Sequence, residues 1–316
     1  MTGTDPVDAV ADPLGVAKTG PMTSMQRRSS ELRTRTISAA VLATLVVLLA
    51  YWGGVPFRIL TIAVGVVVLQ EWCAMTGSLR PFRLPQQLTV GAFMLVALLV
   101  LFAQFTSAIV ATLIGFAAAY LVSFVKLRQR PRPPDARHWS WLSLGFLYAC
   151  SFMVAFAVLR GDTEFGLAAC AFVLAVVWAT DIFAYFVGKN VGGPKLAPRV
   201  SPNKTWSGFL GGVTFAVGAG LAVAFAYRWK GSLPAVSWWL VPVAIVLSIV
   251  SQLGDLFESW VKRRSGAKDS GRIIPGHGGM MDRIDGLGAA AVAAMVLIIL
   301  STHGTDMSDT LFLMLE

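Results

Sequence analysis

Nine apolar stretches divide this chain, at 37–54, 56–76, 87–104, 107–125, 139–159, 164–187, 206–227, 236–260 and 286–302. Each is close to the roughly 20 residues that a helix needs to cross a bilayer. Backbone N–H and C=O groups find no water inside a bilayer, so runs of this length must satisfy themselves as helices. The expected fold is all-α: a polytopic integral membrane protein of about nine transmembrane helices. Composition agrees, with 14% of residues charged against about 25% in a soluble domain. Gly53-Gly54-Val55-Pro56 marks a tight turn between the first two helices. Cys73, Cys150 and Cys170 sit within apolar segments at no metal-ligand spacing, and are read as reduced, buried small hydrophobes.

Residues 1–35 are rich in Gly, Pro, Ser, Thr and Asp with no hydrophobic period, and read as a disordered tail. They lack the basic-then-apolar layout of a cleaved signal peptide. Residues 36–304 form the membrane domain and 305–316 a short C-terminal tail. With the N-terminus on the cytoplasmic side, 22 of the 26 basic residues fall on that side. Only Arg58, Arg160, Arg228 and Lys230 fall opposite. The positive-inside rule therefore gives N-terminus in, nine spans and C-terminus out, and the expected location is the cell's inner (plasma) membrane with the active site facing the cytoplasm. The net charge of +9 is an orientation signal, and nucleic acid is not an expected partner.

Two polar segments interrupt this pattern, 181–208 and 255–285. Two spans separate them, so the loops 188–205 and 261–285 return to the same cytoplasmic face and can form one site. The second segment holds five acids, six Lys or Arg, and the run Pro275-Gly-His-Gly-Gly279. Asp255, Ser259 and Lys262 are spaced to share a helical face, which reads either as an interfacial Asp255–Lys262 pair or as part of a site. Asp282 and Asp285 immediately precede the ninth span. At three-residue spacing they can converge on a hard cation that takes oxygen ligands, or they can cap the helix. Gly278 and Gly279 let backbone N–H groups approach a phosphate, beside Lys262, Arg263, Lys268 and Arg272. His277 is placed to move a proton or to donate to a phosphate. Upstream, Asp181, Tyr185 and Gly188 share a face, and Ser201, Asn203, Lys204 and Thr205 offer donors just before a helix begins, where phosphate is favoured. Glu71, inside the second span, is an expensive acid with no basic neighbour in sequence. It is expected to face the polar cavity or to sit protonated in the bundle.

The segment Ser259-x-Val-Lys-Arg-x4-Lys-Asp-x-Gly-x2-Ile-Pro-Gly-His-Gly-Gly-Met-x-Asp-Arg-Ile-Asp285 resembles the signature of the phosphatidate cytidylyltransferases, also called CDP-diacylglycerol synthases. The upstream Asp181-x-x-Ala-Tyr185, Lys195-Leu-x-Pro198 and Ser201-Pro-x-Lys-Thr205 are similar to that family's upstream segment. The likeness covers about residues 37–302. It departs at Asn203, where the family often has Lys, and at Ser207, where it often has an acid.

The resemblance implies that CTP and phosphatidate give CDP-diacylglycerol and pyrophosphate. It implies Mg²⁺, admits K⁺ beside it, and suggests a homodimer. A phosphate monoester has a second pKa near 6, so the nucleophile is largely dianionic at neutral pH and needs no strong base. The acids are therefore assigned to metal: Asp255 and Asp282 first, with Ser259 close by and Asp285 next. Asp255, Asp282, Lys262, Lys268, Asp269 and His277 form the expected catalytic set. Ser201, Asn203, Lys204, Thr205, Arg263, Gly278, Gly279, Arg283 and Asp181 form the expected substrate-binding set. Another CTP-using lipid enzyme, such as a polyprenol kinase, is disfavoured by the complete signature. An ion transporter is disfavoured because no internal repeat is visible.

Overall fold

The computed structural model describes residues 41, 43–78, 84–129, 136–162, 164–231, 236–271, 273 and 278–301. The two tails, Arg272 and His277 lie outside them. Each apolar run yields a helix: α1 (Ala43–Trp52), α2 (Gly54–Thr76), α3 (Leu84–Leu101), α4 (Phe105–Gln129), α5 (Ala136–Arg160), α6 (Glu164–Val191), α7 (Trp206–Trp229), α8 (Leu240–Arg264) and α9 (Met281–Ser301). Seven are long and apolar enough to cross a membrane. The apolar parts of α1 and α3, Ala43–Trp52 and Gln86–Leu101, are shorter. The fold is thus a polytopic helical bundle, with seven helices of full spanning length among the described residues.

One element departs from the all-α expectation. Between α6 and α7 the chain forms a small antiparallel hairpin, β1 (Lys195–Ala197) and β2 (Ser201–Thr205), with Lys195 opposite Thr205 and Ala197 opposite Ser201. Gly192 and Gly193 have φ of 68° and 106°, which turn the chain out of α6. Thr205 ends β2 and caps α7, accepting from Gly208 N at 3.2 Å.

Three helices that carry the polar segments run beyond their apolar stretches at that end. α6 continues to Val191, α8 to Arg264, and α9 starts at Met281. Hydropathy marks where lipid ends, whereas hydrogen bonding carries a helix past the interface. Asp282 and Asp285 therefore lie inside α9's first turns and do not precede it.

α5 is the central helix, with most of its span buried and α2, α3, α4, α6 and α9 around it. Cys73, Cys150 and Cys170 are buried and free, as expected. At the end opposite the polar loops, Arg160 Nε donates to Ala50 O at 2.5 Å, and Arg58 Nη1 donates to Leu101 O at 2.8 Å. Two of the four off-side basic residues thus satisfy carbonyls at the ends of α1 and α3.

The most extensive helix–helix contact among the described residues is that of α6 with α7. On α7, Gly208, Gly212, Ala216, Gly220 and Ala224 recur every fourth residue and are all buried. A stripe of small residues lets two backbones approach within a membrane, where packing replaces the hydrophobic drive. A Cβ on Gly208 would lie 2.5 Å from Ala184 O and 3.2 Å from Gly188 Cα. Backbone cannot step aside, so Gly208→Val is expected to destabilise the protein by about 2 kcal/mol or more. Gly218, which has nothing within 4 Å of its added Cβ, is the control. Thermal unfolding in detergent should drop for Gly208→Val and not for Gly218→Val.

Candidate functional site

The two polar segments meet through one ion pair: Lys204 Nζ, in β2, lies 2.5 Å from Asp255 Oδ2, in α8. Ser259 Oγ donates to Asp255 Oδ1 at 3.3 Å, as their spacing on the helix allows. Lys262 does not pair with Asp255. Its Nζ lies 2.8 Å from Glu258 Oε2 and 2.8 Å from Asp282 Oδ1. An interfacial Asp255–Lys262 pair is therefore excluded, because each residue has a nearer partner from a different turn or segment.

α8 and α9 are brought together by small residues. A Cβ on Gly254 would lie 2.8 Å from Asp285 O, and one on Gly286 would lie 3.0 Å from Ser251 O. This approach sets Asp285 against the α8 acids. One carboxylate oxygen from each of Asp255, Glu258 and Asp285 lies within 4.8 Å of the other two. Glu258 is buried, and its Oε1 has no hydrogen-bond donor among the described residues. An all-oxygen donor set with an orphaned buried oxygen fits a hard divalent cation. Asp285 also accepts from Gly286 N at 2.8 Å through Oδ1.

Asp282 is arranged differently. Its Oδ1 accepts from Lys262 Nζ at 2.8 Å, and its Oδ2 accepts from Ser270 N at 3.0 Å and Gly279 N at 3.1 Å. It reaches backward from the first turn of α9 to tie the preceding loop to α8. Gly278 has φ 85°, and a Cβ there would lie 3.1 Å from Asp282 Oδ2. A side chain at that position would strain the backbone and crowd the carboxylate.

The loop preceding α9 holds a second carboxylate. Glu71, 3% exposed on α2, accepts from Met280 N at 2.9 Å and Met281 N at 2.8 Å. Ser270 Oγ also donates to it, at 3.3 Å. The amides of residues 279–281 are thus taken by the protein's own carboxylates. Gly279, expected to cradle a phosphate, gives its N–H to Asp282.

α8 divides two recesses. Its Gln252 and Asp255 line a polar cavity of about 660 Å³ together with Asp181, Lys189, Lys195 and Lys204. Asn203 and Thr205 also border it, so the hairpin supplies the donors expected there. The other face of α8, with Leu253, Gly254 and Phe257, lines an apolar groove of about 480 Å³. The far wall of that groove includes Tyr148, Phe152 and Val292. Tyr148 Oη is buried without a hydrogen-bond partner among the described residues.

Arg263, Lys268, Asp269 and Arg283 are exposed, and Ser201 is half-buried at the start of β2. The residues missed from sequence are Glu258, Tyr148 and the role of Glu71. Glu258 carried a signal, three residues after Asp255 and four before Lys262. Tyr148 carried none, since a tyrosine in an apolar helix is ordinary. Glu71 was conspicuous, but its partners lie about 200 residues away in sequence.

The cytidylyltransferase family model matches residues 33–301. The chain is 43% identical over 263 residues to the phosphatidate cytidylyltransferase of Brucella abortus, covering 83% of this chain and 91% of that one. It is 32% identical over 257 residues to the phosphatidate cytidylyltransferase of Bacillus subtilis, covering 81% and 93%. A third relative, from Haemophilus influenzae and of the same name, is 42% identical over 172 residues.

Proposed function

Because the chain belongs to the cytidylyltransferase family, we infer that it transfers the cytidylyl group of CTP to phosphatidate, giving CDP-diacylglycerol and pyrophosphate. The observation that carries this reading is the partition made by α8. A lysine-lined polar cavity and an apolar groove lie on opposite faces of one helix, with Asp255, Glu258 and Asp285 clustered at its polar end. A soluble triphosphate and a membrane lipid need two such surfaces and a common meeting point.

In the reaction, a phosphate oxygen of phosphatidate attacks the α-phosphorus of CTP. A new P–O bond forms, the bond from that phosphorus to the β-phosphate bridging oxygen breaks, and pyrophosphate leaves. No base is required, since the attacking phosphate is already largely dianionic. The difficulty is electrostatic: a dianion must approach a triphosphate of the same sign. Lys189, Lys195 and Lys204 are positioned to neutralise the triphosphate, with Asn203 and Thr205 as neutral donors. Lys262 faces the acid cluster, held there by Glu258 and Asp282. Asp255, Glu258 and Asp285 would hold Mg²⁺, with Ser259 alongside and room in the proposal for K⁺. Bound there, Mg²⁺ would neutralise phosphate charge and orient the two phosphates in line. Asp282 is read as the group that orients Lys262 and the loop, because its oxygens already have donors. The groove would receive the acyl chains, with Tyr148 Oη available to a lipid ester or phosphate oxygen. Arg263, Lys268, Asp269 and Arg283, all exposed, would serve incoming substrate, and His277 keeps the proton or phosphate role read from the sequence.

The charge bias of the loops supports nine spans, N-terminus in, with the mouth of the polar cavity on the cytoplasmic side, and the bacterial relatives support the plasma membrane as its place. A homodimer belongs to the same proposal, carried by the resemblance.

The test is incubation of the purified protein with phosphatidate, Mg²⁺ and CTP labelled at either the α- or the γ-phosphate. The α-label is expected in the lipid and the γ-label in pyrophosphate. A γ-label in the lipid with release of CDP would mark a kinase and overturn the reading.

A further inference from the structure

We propose that Glu71 is a positioning residue of this site, an internal anion that locks the start of α9 and thereby sets Asp282, Lys262 and the acid cluster. The proposal rests on the transferase reading for its kinetic consequence only.

The first N–H groups of a helix have no partners within it, and together they attract negative charge. At α9 this role is split between two carboxylates. Asp282, from the helix itself, takes Gly279 N. Glu71, from α2, takes Met280 N and Met281 N. Ser270 joins them: its N–H goes to Asp282 and its hydroxyl to Glu71. From Asp282 the network continues through Lys262 to Glu258, which belongs to the convergent acids. One continuous chain of polar contacts thus runs from the buried end of α2 to the cluster.

The surroundings are fitted to the carboxylate. A Cβ on Gly271 would lie 2.6 Å from Glu71 Oε1, and one on Gly279 would lie 2.8 Å from Oε2. Both glycines leave room for the acid to reach the backbone. The neighbouring Trp72 is fully buried, donates from Nε1 to Trp141 O at 2.7 Å and stacks on Tyr148 and Phe257. α2 is therefore fixed against α5 and α8 one residue from Glu71. An acid inside a membrane helix is expensive, and here the helix that carries it borders neither recess through Glu71: the residue lines neither the polar cavity nor the groove. It acts through the loop and not on substrate, which predicts an effect on kcat and not on KM.

Glu71→Gln is the informative change. Donors face both carboxylate oxygens, so an amide must set its NH₂ against a backbone N–H in either orientation. The variant is to be purified beside the native protein and assayed per folded molecule. Expected is a fall in kcat of about 10- to 100-fold, the scale of a small misplacement at a reacting centre, with KM for CTP within about twofold. Deuterium uptake should rise in the peptide covering 278–283 and stay unchanged in α5. If kcat stays within about twofold of native, or uptake at 278–283 is unchanged, the proposal is overturned. Should Glu71→Gln not fold, Ser270→Ala decides instead, since it removes the link between the carboxylates without removing a charge. A drop in kcat of several-fold supports the network, and native kcat overturns it. If the native protein makes no CDP-diacylglycerol, the transferase reading fails, while the exchange measurement still decides whether Glu71 locks the turn.

Discussion

Asp282→Ala is expected to remain in the membrane and to lose CTP-dependent turnover by about 10³-fold or more, a loss that added Mg²⁺ does not rescue. Among the described residues its carboxylate is the acceptor for the Ser270 and Gly279 amides, and it is one of two acids holding Lys262. Truncation leaves two partly buried N–H groups without acceptors, at about 1–3 kcal/mol each. The helix bundle, packed elsewhere by apolar and small residues, retains its place in the bilayer. The site does not survive, because Lys262 loses its second partner and the loop loses its anchor to α8. Each 1.36 kcal/mol of lost transition-state stabilisation is tenfold in rate, so a loss near 10³-fold corresponds to about 4 kcal/mol. Turnover is to be measured across a Mg²⁺ titration in detergent. Recovery at high Mg²⁺ would show that Asp282 is a metal ligand after all and would reverse the role given to it here.

Asp255→Asn and Asp285→Asn should behave in the opposite way. Both residues contribute oxygens to the three-acid cluster, so each amide removes one anionic ligand while preserving shape. Turnover at fixed, low Mg²⁺ is expected to fall by about 10²- to 10³-fold, in line with the several kcal/mol that metal charge supplies to such reactions. The Mg²⁺ concentration for half-maximal rate should rise, and part of the rate should return at high Mg²⁺. Asp285→Asn also separates ligation from helix capping. Its position in α9's first turns and its bond to Gly286 N make a capping role reasonable. A capping residue would give a lower unfolding temperature with turnover retained, and that outcome would remove Asp285 from the metal set. Asp255→Asn has a second consequence, because it weakens the 2.5 Å pair to Lys204. KM for CTP should therefore rise for Asp255→Asn and stay near native for Asp285→Asn.

Much of this was legible in order along the chain. Each apolar run became a helix, because a 20-residue apolar run in lipid has no other way to satisfy its backbone. The assignment of Asp181, Lys204 and Asp255 to one site was also readable, since two intervening spans return the chain to the same side. The helix ends were misjudged by four or five residues for α8 and α9. Apolar character stops at the interface, but Lys262–Arg264 are favoured in a helix's last turn and Asp282 in its first. The hairpin 195–205 was not foreseen, since its strands are too short to show alternation.

Sequence by itself therefore determined the kind of molecule: a helical membrane bundle with its charge gathered at one end and two polar segments there. Local rules of length, periodicity and loop charge suffice for that, because each helix answers to lipid before it answers to its neighbours. Tertiary structure alone decided who holds whom. Lys262 reaches Asp282, Lys204 takes Asp255, and Glu71 crosses from α2 to the start of α9. Such choices depend on distances of a few ångströms between segments separated by 20 to 210 residues, and on glycines at 254, 271, 279 and 286 that permit the approach. A spacing along one helix records which residues share a face. It does not record which other helix that face meets.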